Sequence, residues 1–123
     1  MQLTALRARL TKMGESLPEA EVSGGQHLAF RVRGKTFAYF QNDHHGDGIV
    51  SILVKAAPGD QDFLVRLDPE RYYANGPLAN KGWVALRLDV EPVDWGQVEK
   101  LLRAAYRLTA PKRLAAGLGA AKP

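Results

Sequence analysis

The stretch HLAFRVRGKTFAYF, residues 27–40, constrains the fold most, because so regular an apolar alternation suits a half-buried strand. Leu28, Phe30 and Val32 fall on one side of an extended chain, and Ala29, Arg31 and Arg33 on the other. Gly34-Lys35 reads as a two-residue hairpin turn with glycine first, which predicts that Thr36–Gln41 returns antiparallel. NDHHGDG (42–48) then leads into IVSILVKA (49–56), a mostly apolar run expected at the sheet centre. These three runs form a meander.

Helical signals flank it. Leu3, Leu6, Leu10 and Met13 have helical spacing, with Gly14 where such a helix would stop. LPEAEVSGG (17–25) reads as a connector, punctuated by Pro18 and Gly24-Gly25. PGDQDFLVRL (58–67) predicts a short helix with Asp60 and Asp62 in its first turn, where the helix dipole favours anions. Asp68-Pro69 ends it, since a residue before proline avoids the helical region. PERYYANGPLANKG (69–82) has too little periodicity to be regular throughout. WVALRLDV (83–90) is a further strand, with Val84, Leu86 and Leu88 inward and Trp83, Ala85 and Arg87 opposite.

The clearest helix start is Asp94, an N-cap with Gln97 as capping-box partner and Val93 and Val98 as hydrophobic staple. Val98, Leu101, Leu102, Ala105 and Leu108 form its apolar face. Thr109 and Pro111 open a brief last helix, and the tail is expected to fray from about residue 118. The order predicts one α+β domain over residues 1–123. Its antiparallel sheet of about four to five strands packs against N- and C-terminal helices.

Composition narrows the function. A chain of 123 residues has room for one core. With no cysteine, disulfides, thiolate catalysis and Cys-ligated metal centres are excluded. No apolar run approaches the roughly 18–20 residues that span a bilayer, and the first residues lack a signal-peptide core. The expectation is a cytoplasmic protein with no membrane contact, most simply a monomer. The net charge of +4 is unevenly spread. Residues 1–35 hold six basic and three acidic side chains, residues 36–99 five and ten, and residues 100–123 six and none. The two ends are basic, an asymmetry that suits a polyanion-binding face and is also common in basic helix ends that bind nothing.

Three groups of residues are candidates. Arg31, Arg33 and Lys35 project from one face and the tip of the hairpin, as a wing offering cations to phosphates, with Arg87 on the same face. The alternative is an exposed face whose charges block edge-to-edge pairing. Lys100, Arg103 and Arg107 share a helix side, and Lys112 and Arg113 follow; these serve as auxiliary phosphate contacts or as helix-end charges. In NDHHGDG, neighbouring residues of a strand point opposite ways, so His44 and His45 cannot chelate one ion without an irregular turn. A divalent site needs three or four convergent ligands, and no metal is expected. The loop is then a strand connection eased by Gly46 and Gly48, or a polar wall facing a ligand pocket formed by His44, His45, Asp47, Tyr73 and Trp83. Trp83, Tyr72, Tyr73 and Tyr106 either stack on bases or pack internally. Ser16, Ser23 and Ser51 sit in no nucleophile-elbow context, and no Walker or GxGxxG pattern occurs, so neither catalysis nor a cofactor is expected.

The ordered set HLAFRVRGKTFAYF, NDHHGDG, VKAAPGDQDFLVRLDPERYY, KGWVALRLD and DWGQVEKLLRAAYRLTAPKRL resembles the MmcQ/YjbR-like family of small bacterial proteins, over roughly residues 15–115. The resemblance implies a CyaY-like α+β fold and a DNA-binding role with a double-wing arrangement. DNA is accordingly the expected partner, met by Arg31, Arg33, Lys35, Arg87, Lys112 and Arg113. One stretch departs from the family pattern: NGPLAN stands where members often carry a Pro-Pro-Tyr-x-Gly-like segment before the Gly-Trp. A frataxin-like iron role would want an acidic first helix, and Arg7, Arg9 and Lys12 argue against it.

Overall fold

A computed structural model describes residues 2–120, with side chains through Leu118. Helix α1 (Leu3–Glu15) leads into β1 (Ala20–Gly24), β2 (Leu28–Val32), β3 (Lys35–Asn42) and β4 (Val50–Val54). Then come α2 (Asp60–Leu67), β5 (Tyr72–Tyr73), β6 (Val84–Arg87), α3 (Trp95–Thr109) and α4 (Lys112–Ala120). The strands form one antiparallel sheet in the order β1-β2-β3-β4-β6-β5. The fold is a single α+β domain, as the sequence implies.

Six strands stand where four to five are expected, and both additions are edges. β1 arises from the stretch read as a connector: Glu21 and Ser23 are exposed and Ala20 and Val22 half-buried, too shallow an alternation to register as a strand. β5 has two residues, too short for periodicity to show. The meander holds, and all five positions of β4 are buried, as a central strand requires.

The hairpin turn lies one residue earlier than glycine placement suggests. Val32 pairs with Lys35, so the turn is Arg33-Gly34, both with positive φ (51° and 78°). That matches the two left-handed residues of a type I′ turn, whose twist fits the flanking strands. A register shift between Phe30 and Arg31 then leaves Phe37 unpaired in β3. Both Phe37 and Ala38 consequently point into the core, which strict alternation would forbid.

Helices cover one face of the sheet. Phe30, Phe37, Phe40 and Ile52 are fully buried there against Leu10, Leu102 and Tyr106. The Phe37 ring meets Tyr106 edge-on at 5.7 Å, and Tyr106 donates from its hydroxyl to the Pro18 carbonyl. Gly14 does more than end α1, which continues to Glu15. A Cβ there would stand 2.6 Å from the Phe30 ring, so glycine sets how closely the helix approaches the sheet.

Asp94 caps α3 by accepting from the Gln97 amide N–H. The Gln97 side chain does not close the capping box; it donates to the Tyr72 hydroxyl instead, tying α3 to the β5 edge. Tyr106 supplies the deepest contact of α3, whereas Leu108, expected on its apolar face, is 43% exposed. Residues 118–120 belong to α4, and the remainder of the expected fraying falls on 121–123, outside the described residues.

Candidate functional site

The opposite face of the sheet is largely free of helices. A cross-strand row runs Tyr39, Leu53, Ala85, Tyr73 over β3, β4, β6 and β5, and the next row runs Gln41, Ser51, Arg87. Leu53, Trp83 and Ala85 form a small second cluster with Tyr39, Tyr73 and Leu78. Ala85 is the shortest side chain of its row and is buried among its neighbours. Two loops rise around this part of the row: His44–Asp47 on one side and Asn75–Leu78 on the other. They border a half-open cavity of about 370 Å³ whose lining includes Leu53 and Ala85.

Each wall is held by its own hydrogen bonds. In the histidine loop Asp43 and His45 take left-handed backbone (φ 57° and 55°), and this tight turn brings the two imidazoles to one side. The Gly48 N–H donates to Asp43 Oδ1 and the Ile49 N–H to Asp47 Oδ1, at 2.6 and 2.8 Å. The second wall is the 3-10 turn Pro77–Lys81, pinned from α2 by Gln61, whose Nε2 donates to the Ala79 and Trp83 carbonyls. Tyr73 is fixed by a 2.9 Å hydrogen bond between its hydroxyl and that of fully buried Ser51.

Of the five expected pocket residues, His44, His45, Asp47 and Tyr73 line this cavity. Trp83 lies in the cluster beside it rather than in its lining, its ring 6.1 Å from Tyr39. Gln41, Asn75 and Leu78 line it too. Gln41 is placed only by strand register, whereas Asn75 and Leu78 fall in NGPLAN, the stretch that departs from the family pattern. His27, distant in sequence, also arrives here. Its ring is 5.3 Å from His44, which lies 3.9 Å from His45, and its Nδ1 accepts from the Asn42 amide.

Electrostatics follow from this crowding. Burial, then the neighbouring His45 and His27, hold the His44 imidazole below the ordinary histidine range, with Asp47 pulling the other way. Burial pushes the Tyr73 phenol up against the opposing Ser51 hydrogen bond, so it stays protonated. Among the described residues no group of three or more His, Asp or Glu is placed to hold a metal ion.

The six expected phosphate contacts do not gather in one place. Arg33 donates from Nε and Nη2 to both oxygens of Glu19, and Arg31 donates to the Thr36 hydroxyl while facing Glu21 across the strands. Lys35 is exposed at the turn. Arg87 shares the sheet face of Arg31 but lies three strands away, at least about 14 Å at ~4.8 Å per strand, and its Nε and Nη2 donate to Asp89 at 2.9 and 3.2 Å. Burial raises the Asp89 carboxyl, but the Arg87 hydrogen bond and the Val50 amide outweigh it and leave it lowered. Lys112 and Arg113 are exposed in the first turn of α4. The Glu19 carboxyl is lowered by its Arg33 hydrogen bond against slight desolvation, with a smaller contribution from Arg113. Arg33 of the hairpin and Arg113 of α4 thus both act on Glu19.

This architecture is shared with known proteins. A family model described as YjbR matches residues 15–108, and the chain belongs to that family. Among solved structures it is similar to the Deinococcus radiodurans protein DR2400, assigned to domain family DUF419. That match has 24% identity, covers 83% of this chain and 76% of that one, and has a TM-score of 0.66. It is also similar to a Pseudomonas syringae protein from the Northeast Structural Genomics Consortium, at 14% identity, 84% and 97% coverage and a TM-score of 0.68. At these identities the likeness is one of fold. No curated protein matches the chain. Among the described residues no helix is long and apolar enough to cross a membrane.

Proposed function

We propose that this YjbR-family chain is a non-enzymatic ligand-binding module whose site is the cavity on the open face of the sheet. The observation that carries the reading is convergence. His44, His45, Asp47 and Tyr73 come from two separate stretches and line one depression whose walls are pinned by hydrogen bonds and whose floor is apolar. An apolar cavity with a few fixed polar groups is the usual form of a small-molecule site. A thermal-shift panel of metabolites tests it, because a ligand that binds only the folded chain adds about 2.7 kcal/mol at one hundred times its dissociation constant. The expected result is a shift for the wild type that is lost in Ala85→Leu, where the added side chain occupies the cavity. A shift equal in both proteins sends the ligand elsewhere.

A second reading, DNA binding through the basic hairpin, rests on a different observation. Lys112 and Arg113 stand at the N-terminal end of α4, where the helix dipole disfavours cations, so helix stability does not explain them. Arg113 lies near enough to Glu19 to lower its carboxyl, and Arg33 pairs with the same residue, so the reading draws on cations from both basic stretches. A salt titration of duplex binding reads the number of phosphates engaged, with log affinity falling by about 0.9 per contact for each log unit of salt. Arg31/Arg33/Lys35→Ala should flatten that slope by two to three contacts' worth, on the order of 2–3 in slope. An unchanged slope removes the hairpin from the interface.

A further inference from the structure

The chemistry of the cavity lining selects among ligands. No lysine or arginine lines it, and its one carboxylate is that of Asp47. Asp47 spends Oδ1 on the Ile49 amide, which leaves its other oxygen available. The cation whose field reaches both Tyr73 and Asp47 is Arg87, and its guanidinium is already paired with Asp89. The stacked His44 ring resists taking a proton beside two other imidazoles. An anion entering this half-open site would give up part of its hydration beside the Asp47 carboxylate and find no free positive charge to offset it.

The remaining polar groups are of one kind. Gln41 on β3 and Asn75 in the opposite loop are side-chain amides, each carrying a donor and an acceptor. Among the described residues neither makes a side-chain hydrogen bond within the chain; Gln41 is half-buried and Asn75 exposed, so both are free to meet a ligand. These two amides line the cavity together with apolar Leu53 and Ala85, with the rings of His44 and His45 beside them. Such a lining suits a flat molecule with mixed donors and acceptors along its edge. At about 370 Å³ the volume falls near the small end of the ~300–1,000 Å³ typical of such sites.

We propose that the cavity takes an uncharged or cationic heteroaromatic molecule of one or two rings, its edge bonded by Gln41, Asn75 and Asp47, and rejects the same ring bearing a phosphate or carboxylate. This rests on the reading of the cavity as a binding site. Calorimetric titration of the full chain at pH 7.5 tests it with matched sets: adenine, adenosine and adenosine monophosphate; benzimidazole and its carboxylate; and the cation 4-aminopyridine. At least one neutral or cationic member is expected to bind, with its anionic counterpart at least tenfold weaker. Asp47→Asn, which keeps the Ile49 contact, should weaken the cation several-fold more than it weakens the neutral rings. Gln41→Leu should weaken the neutral rings. Anions that bind as well as neutral rings overturn the charge selection but leave the cavity as a site. Binding of no member, or binding unaffected by Ala85→Leu, overturns the cavity itself.

Discussion

On the helix-covered face of the sheet, Phe30, Phe37, Phe40 and Ile52 are fully buried and interlock with α1 and α3. On the other face, Tyr39, Leu53, Ala85 and Tyr73 form a single row that one short turn covers in part. The first face is filled by helices; on the second Leu53 and Ala85 are buried by their neighbours while Tyr39 and Tyr73 stay half-buried. The loops that stand over this row are tied down by Asp43, Asp47 and Gln61. The contrast separates what holds the chain together from what it offers to a partner.

Truncation distinguishes the faces most strongly. Phe37→Ala removes a ring with no exposed surface and should cost about 3–5 kcal/mol in urea unfolding, the range for a buried aromatic. Leu53→Ala, at the edge of a three-residue cluster beside a cavity, should fall at the lower limit for leucine, about 2 kcal/mol. Equal losses would abolish the distinction. Enlargement gives a smaller effect. Gly14→Ala drives a Cβ into Phe30, and Ala85→Leu overpacks a position only 1% exposed beside Leu53 and Trp83, so each should cost about 1–3 kcal/mol.

The smallest effect is on pH dependence and belongs to the open face. Folding holds the His44 ring below its ordinary value, chiefly by burial. Below about pH 6.5 the unfolded chain takes up a proton that the folded ring resists. The His44 contribution is therefore complete above that pH and is lost as pH falls through the lowered folded value. His44→Gln should flatten the stability profile below pH 6.5 and leave it unchanged at pH 8. A profile of the same steepness in both proteins would place the titration elsewhere.

Much of the fold is legible in the sequence because it is written in periodicity. The alternation of residues 28–32, the apolar run of β4 and the Asp94 cap each specify an element locally. What escapes has no local signature. β1 is an edge whose outward residues need no apolar pattern, and the one-residue bulge at Phe37 breaks alternation where it matters most. The site divides in the same way. His44, His45 and Asp47 stand out as a polar cluster in a glycine-bearing loop, and Tyr73 as an aromatic near it in the fold. Gln41, Asn75 and the decisive smallness of Ala85 depend on which strands are neighbours, and His27 reaches His44 only through the β2–β3 pairing. The wing cations are legible as charges, but their partners Glu19 and Asp89 lie 14 residues before Arg33 and two after Arg87, and only the fold joins them.

The central claim, that the open face carries the site, is tested most directly by an amide NMR titration of the chain with its tightest heteroaromatic ligand. The account predicts shifts concentrated at Gln41, Leu53, Tyr73 and Ala85 and absent in Ala85→Leu. Shifts concentrated at Arg31–Lys35 and Lys112-Arg113, with the cavity amides unmoved, would contradict it.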